Sequence, residues 1–519
     1  MYPRWLYIFS VIFILTAWVG VESITASDLK TTDLQSKINA LVNEYVVDRQ
    51  FMGSVLVAEK GKIVLAKGYG LADVEKNIPN TPETKFMIGS ITKQFTAMLV
   101  TQLVEKGKLK LDNTISDFIP EFPKDIGDKI TVEMLLCHSS GLILPEGIEK
   151  YYYATTQEQW LQEYLKQLSE EGLRFEPGKG YGYSNGGYFI LGLIIEKVTG
   201  KSYEAVLTEQ ILKPLGMTQT GCNRKGLVVE NRAISYAKLR DRYITWNEET
   251  NSYDPAVWGF GCGNLYSTVE DLFKFSQALS TNRLLSKEYM DMYLKMRIVR
   301  THPTIYNISQ EMLREFFGTF GNGFVGEISY IEDPDTKEKE TLYWHDGTSK
   351  LFRSNHFHYM PKNQIIIICS NCSFLLEGNE MVLKIHNLLN HKPYDHILIK
   401  NSLTQYIEED VAMHAGIAAA FEEYHRFKND TVNFIVPGKE YFINISRQVA
   451  EDGNLDWAIA ILQTAITEFP GCWEAYDALG DMYIKTSEND LAIQSFKKSL
   501  ELNPQNAHAL EMLKRLENK

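Results

Sequence analysis

An excess of positive charge is the first thing this sequence lacks. Lysine and arginine total 53 against 66 aspartate and glutamate, a formal net charge of −13 over 519 residues. The basic footprint that nucleic-acid binding requires is therefore missing, and the acidic balance speaks for solubility rather than for any one substrate. Long apolar runs are scarce as well: after Val21 no segment is long and apolar enough to cross a bilayer. Cysteine is sparse, with six in all, and only Cys369-Ser370-Asn371-Cys372 has C-x-x-C spacing. No second pair exists to complete a zinc site. The motif ends the apolar run "QIIIICSNC", which predicts a core strand and ordinary core cysteines. His356 and His358 alternate on another strand pattern, where packing explains them better than metal ligation.

What the chain does contain is core-forming material. Hydrophobic residues make up 44% and charged residues 23%, the composition of a globular protein, and the length suits two to four domains. The opening "MYPRWLYIFSVIFILTAWVGVES" has one cation, Arg4, then an uncharged run from Trp5 to Val21 and small or polar residues after it. Residues 1–26 therefore read as an export signal with Ser23 or Ala26 at the cleavage point, the alternative being an uncleaved membrane anchor. Either way the bulk of the chain is expected outside the cytoplasm, periplasmic or secreted.

The segment 53–70, "GSVLVAEKGKIVLAKGYG", consists of two β-rich runs split by Glu59-Lys60-Gly61, a hairpin signal. A helical pattern follows to about Lys106, with Phe95, Met98, Leu99 and Leu103 on one face. Helical patterns occupy 130–215 and 268–296, strand patterns return over 323–370, and 380–390 closes as a helix. Strands at both ends with helices between predict an α/β (α+β) domain: one antiparallel sheet of distant chain segments, flanked by helices, plus a helical subdomain. The C-terminal part differs in kind. Ala458, Leu462 and Pro470 recur as Ala492, Phe496 and Pro504, each offset by 34 residues. With Tyr476, Leu479-Gly480 and Tyr483 added, these predict two tetratricopeptide repeats at 439–472 and 473–506 in a region 439–519, after a helical linker over 393–438. Small alanines let paired helices approach, and the proline stops the second helix.

Ser-x-x-Lys occurs four times, at Ser27, Ser90, Ser235 and Ser495, so the pattern alone decides nothing. A serine hydroxyl is a weak nucleophile without a base in hydrogen-bond reach. Lys93, three residues after Ser90, shares its helix face; Gly89 leaves room for a substrate, and a helix N-terminus would favour developing negative charge. The other three lack this setting. Tyr183-Ser184-Asn185, the sole Y-x-N, sits in a glycine-rich stretch before a helical pattern and could present a phenol to a cleft. As a base it would need a neighbouring cation, for which Lys93 is the candidate. His345-Asp346-Gly347 lies on a strand pattern, where the glycine would let a substrate backbone lie along the edge. His-x-Gly also occurs at His414, inside a helical run of alanines.

With these three motifs in this order, the chain resembles the serine β-lactamase and penicillin-binding protein superfamily, in particular the class C β-lactamase-like branch with its esterases and D-amino-acid peptidases. The resemblance covers about 35–392 and includes "ITVEMLLCHSSGL", "KPLGMTQT" and "GFGCGNLYSTVEDLFKF". It implies a β-lactamase/transpeptidase-like fold, Ser90 as nucleophile, and Lys93 with Tyr183 as its activating pair. Asn185 would orient the substrate, and His345 would stand where a lysine usually opens K-T-G, ahead of Gly347. The backbone N–H groups of Ser90 and Thr348 would form the oxyanion hole, each donor worth roughly 3 to 4 kcal/mol. The implied activity is hydrolysis of an amide or ester (a D-Ala-type peptide, an ester or a β-lactam) through an acyl-enzyme, without cofactor or metal. Whether Lys93 or Tyr183 is the base stays open.

Two departures matter. Histidine, with a reference pKa of about 6.5, is mostly neutral where the lysine would supply fixed charge. Asp346 replaces the usual hydroxyl; on a regular strand it points away from His345, and turned inward it would repel a carboxylate. Both favour an esterase or peptidase over a β-lactamase. The alternative is a catalytically silent exported scaffold that recruits a protein partner through its repeats. Small molecules or peptides are the expected substrates, and a membrane is met only through an uncleaved N-terminal segment.

Overall fold

The structure, a computed structural model, describes residues 26–48, 51–142, 156–224, 227–239, 242–245, 260–300, 318–332, 337–349, 351–372, 378–394, 401–402, 417–430, 434–435, 438–451 and 454–517. Residues 1–25 of the segment read as an export signal, and His414, lie outside them.

Eight strands form the main antiparallel sheet: β1 (Gly53–Glu59), β2 (Lys62–Tyr69), β3 (Ile298–Val299), β4 (Thr319–Gly323), β5 (Gly326–Glu332), β6 (Lys339–Ser349), β7 (Phe352–Met360) and β8 (Gln364–Ser370). Their order is β3-β4-β5-β6-β7-β8-β1-β2. Lys60 and Gly61, both at positive φ (52° and 78°), make the tight turn between β1 and β2. β1 then pairs with β8, so that Val55 faces Ile368 across more than three hundred residues of chain. The two chain ends of the domain thus close one sheet, as the strand patterns predict.

β8 is buried at every position. Ile365, Ile367 and Cys369 face one apolar cluster, while Ile366 and Ile368 face another. Helices Ala26–Asp48 and Gly378–Leu389 cover the second face, with Ile38, Leu41, Met381 and Ile385 wholly or almost wholly buried. The first face carries the helical subdomain. Its central helix, Thr92–Glu105, is buried from Thr92 to Leu103 rather than on the single face that its apolar spacing predicts. The reason is its place between the sheet and helices Asn185–Thr199 and Lys287–Leu294. Its polar side chains are accordingly bonded inward: Gln94 Nε2 donates to Val325 O, Thr96 Oγ1 to Gly261 O and Gln102 Nε2 to Leu284 O.

The C-terminal part is all helical: Lys439–Glu451, Leu455–Glu468, Trp473–Lys485, Asn489–Leu502 and Ala507–Glu517. The first two helices recur 34 residues later with the same lengths, 13 and 14 residues. Ala458, Leu462, Ala492 and Phe496 are wholly buried, and a Cβ on Gly480 would stand 2.6 Å from the Phe496 ring. This cluster also takes in Met52, Tyr236 and Cys372 of the sheet-bearing part. All six cysteines are buried free thiols.

Candidate active site

Strand β6 outruns its neighbour. The pairing with β5 ends at Trp344, opposite Glu327, so that among the strands His345–Ser349 pair with β7 on one side only. That open edge lies against the 3₁₀ turn Gly89–Ile91, which leads into the helix starting at Thr92. Contact is backbone to backbone. Gly89 has φ +49°, and a Cβ there would fall 2.5 Å from Thr348 O. A Cβ on Gly347 would fall 2.0 Å from Ile88 O and 3.2 Å from the Ser90 nitrogen. The space that the sequence assigned to a substrate at both glycines is thus filled by the chain itself. Ser90 and Thr348 are brought together by that approach, and Ser90 sits just outside the α-helix.

Lys93, in the first helical turn, is about 1% exposed. Its Nζ lies 3.0 Å from Ser90 Oγ, 2.6 Å from Asn185 Oδ1 and 2.8 Å from the carbonyl oxygen of Cys262. Burial pulls its pKa down to about 8, against smaller upward pulls from Cys262 and Asp346. A neutral amine has two N–H bonds and one lone pair. Asn185 Oδ1 and Cys262 O can only accept, so they take both N–H bonds and leave the lone pair for the Ser90 hydroxyl.

Tyr183 comes from the loop before helix Asn185–Thr199, whose N-cap is Ser184, its Oγ accepting from Gly187 N. Asn185 is therefore the first residue of a helix, and its side chain is held by the hydrogen bond from Lys93 Nζ. Burial raises the Tyr183 phenol well above its ordinary range, and a hydrogen bond with Ser90 offsets only part of this. Lys93 Nζ stands 4.8 Å from the Tyr183 ring centroid, over its face. The cation expected to acidify the phenol thus meets the ring instead, and desolvation wins.

His138 was not singled out by the sequence. Its ring stacks on Tyr183 with centroids 4.4 Å apart, its Nδ1 accepts from Ser184 N, and its carbonyl accepts from Gly182 N. Burial holds it well below the usual histidine range, so it packs as a neutral ring. Within "LLCHSSGL" only its polarity among apolar residues hinted at a task.

His345 is buried, and desolvation takes its pKa down to about 4, with Asp346 pulling upward and Lys93 downward. Its Nδ1 donates to Asp346 O at 2.5 Å, which leaves Nε2 with a lone pair. Gly326, at φ +113°, gives the ring room, since a Cβ there would stand 2.8 Å from Cδ2. Asp346 keeps its side chain 52% exposed, with Oδ1 4.0 Å from His345 Nδ1. The two neighbours alternate as strand residues should.

The remaining candidates fall elsewhere. His356 is held by Gln94 Oε1 at 2.7 Å and by Ser276, and His358 by Asn363 Oδ1 at 2.8 Å. Both are buried packing groups, and no cluster of three metal-ligating residues occurs among the described residues. Ser495 bonds within its own helix to Leu491 O. Ser235 precedes a strand, and Ser27 lies in the first helix.

Comparison with known proteins identifies the family and the fold. The Beta-lactamase family model matches residues 38–375. Protein flp of Staphylococcus aureus (strain COL) is 27% identical over 389 residues, covering 73% of this chain and 71% of that protein. Among solved structures, the octameric penicillin-binding protein homologue from Pyrococcus abyssi superposes with a TM-score of 0.59 at 27% identity, over 70% of this chain and 79% of its own. D-amino acid amidase from Ochrobactrum anthropi SV3 gives a TM-score of 0.57 at 25% identity, over 69% of this chain and 99% of its own.

Proposed function

This chain belongs to the beta-lactamase family, and from that premise we propose that it is an exported serine hydrolase acting on an amide or ester through an acyl-enzyme on Ser90. The observation that carries the reading is the 3.0 Å approach of Ser90 Oγ to a buried lysine amine whose N–H bonds are already engaged. Neutral Lys93 accepts the Ser90 proton as Oγ bonds to the carbonyl carbon. The oxyanion is held by the backbone N–H groups of Ser90 and Thr348. The Lys93 ammonium, with Tyr183 as a protonated relay, returns the proton to the leaving amine or alcohol. Water then attacks the acyl-enzyme with the same amine as base, releasing the acid and restoring Ser90. The fold likeness to a D-amino acid amidase supports amides of amino acids as one substrate class. Neutral His345 and the Asp346 carboxylate speak against an efficient β-lactamase. The 34-residue recurrence of helix pairs supports tetratricopeptide repeats over 439–506, a surface for a protein partner.

Fluorophosphonate labelling of the parent and of Ser90→Ala tests the chemistry: label lost in the variant is expected, and label retained there overturns the assignment. Rates on nitrocefin, a D-Ala-D-Ala peptide and a short-chain nitrophenyl ester test the substrate class. The ester or peptide should exceed the lactam.

A further inference from the structure

We propose that the cleft beside Ser90 selects substrates bearing a positive charge close to the reacting carbonyl, such as amino-acyl amides or esters with a free α-ammonium, and that the Asp346 carboxylate receives that charge. The inference rests on the hydrolase reading above and goes beyond it by assigning a specificity-determining residue.

Position comes first. Asp346 lies on the stretch of β6 that no strand pairs on its β5 side, between His345 and the Gly347 backbone that touches the Ser90 turn. Its side chain is 52% exposed, so it can meet a ligand, whereas His345 and Lys93 are buried. The carboxylate is near enough to act on Lys93, Tyr181, Tyr183 and His345 alike. Four groups of the site therefore sense this one charge.

The charge inventory comes second. Where a fixed cation would be expected, His345 is neutral and its tautomer offers a lone pair. Lys93 must itself be uncharged to take the Ser90 proton. Cys262 is kept a neutral thiol by burial. Arg300, which acts on His138 and Tyr181, is paired with Glu327 at 3.2 Å, its side chain 10% exposed. On the free end of β6, His345–Ser349, the exposed formal charge is thus that of Asp346, while the part-exposed cation Arg353, on β7, stands opposite Thr348. A substrate carboxylate meets repulsion at Asp346, and an ammonium meets attraction.

The test compares labelling rates of the full chain by two fluorophosphonates alike in shape: one with a 2-(trimethylammonio)ethyl ester, the other with its carbon isostere, 3,3-dimethylbutyl. In each, Ser90 Oγ bonds to phosphorus, fluoride leaves and the serine proton passes to Lys93. The readout is the ratio of the two rates, which cancels differences in folding and nucleophile strength. A preference of about fivefold for the cation is expected at low ionic strength, the ceiling for a half-exposed charge pair. It should shrink toward one in roughly 0.5 M salt, approach one in Asp346→Asn, and invert in Asp346→Lys. Ser90-dependent labelling with no cation preference, or with a preference that Asp346→Asn retains, overturns this inference alone. Absence of any Ser90-dependent labelling by either probe overturns the hydrolase reading and this inference with it.

Discussion

At neutral pH a free lysine amine is almost wholly charged and cannot accept a proton. Lys93 differs because burial lowers its pKa to about 8, while Asn185 and Cys262 fix its N–H bonds. The fraction of neutral amine rises with pH up to that value, so acylation should climb about tenfold per unit below pH 8 and level off above it. Stopped-flow acylation rates from pH 6 to 10 check this; a profile flat across pH 7 to 9 would contradict it. Lys93→Arg, which cannot give up its proton, should lose roughly 10²- to 10⁴-fold in rate. Tyr183 stays protonated, because burial raises its pKa. Tyr183→Phe should therefore lower the rate, by on the order of 10²-fold, without moving the limb near pH 8. A displaced limb would make the phenol the base.

Elements place these residues through close backbone contact. The free end of β6 and the 3₁₀ turn before helix Thr92–Glu105 touch at Gly347 and Gly89, where neither can carry a Cβ without collision. Gly347→Ala should separate the strand edge from the turn and spread the Ser90 and Thr348 donors. Removing one oxyanion donor costs about 10² to 10³ in rate. A loss of that size is expected, with a melting temperature lowered by only a few degrees; an active Gly347→Ala enzyme would show that the contact is slack.

The whole molecule joins two kinds of architecture through one apolar cluster. Met52, Tyr236 and Cys372 share it with Tyr424, Phe442 and the paired helices, whereas Ile91 and Phe95 beside the nucleophile belong to the cluster beneath the sheet. Deleting residues 439–519 should uncover the first cluster and leave the second intact. Calorimetry is expected to show a lower melting temperature, by roughly 2 to 4 °C for each kcal/mol lost, while Ser90 labelling survives. Loss of labelling on truncation would tie the helices to the site itself.

Much of this arrangement can be read along the chain because it rests on local chemistry. The Lys60-Gly61 turn, the doubly buried isoleucines of β8, the Ser90-Lys93 spacing and the 34-residue recurrence each follow from neighbours in sequence. They determined the sheet of distant segments, the helical C-terminal part and the residues to watch. His138, the Cys262 carbonyl and the all-round burial of Thr92–Leu103 were illegible, since each depends on what the fold packs beside them from remote segments. The same holds for the acid–base order of the site: desolvation is a property of the finished interior, and it is the largest cause that lowers the pKa values of Lys93 and His345 and raises that of the Tyr183 phenol.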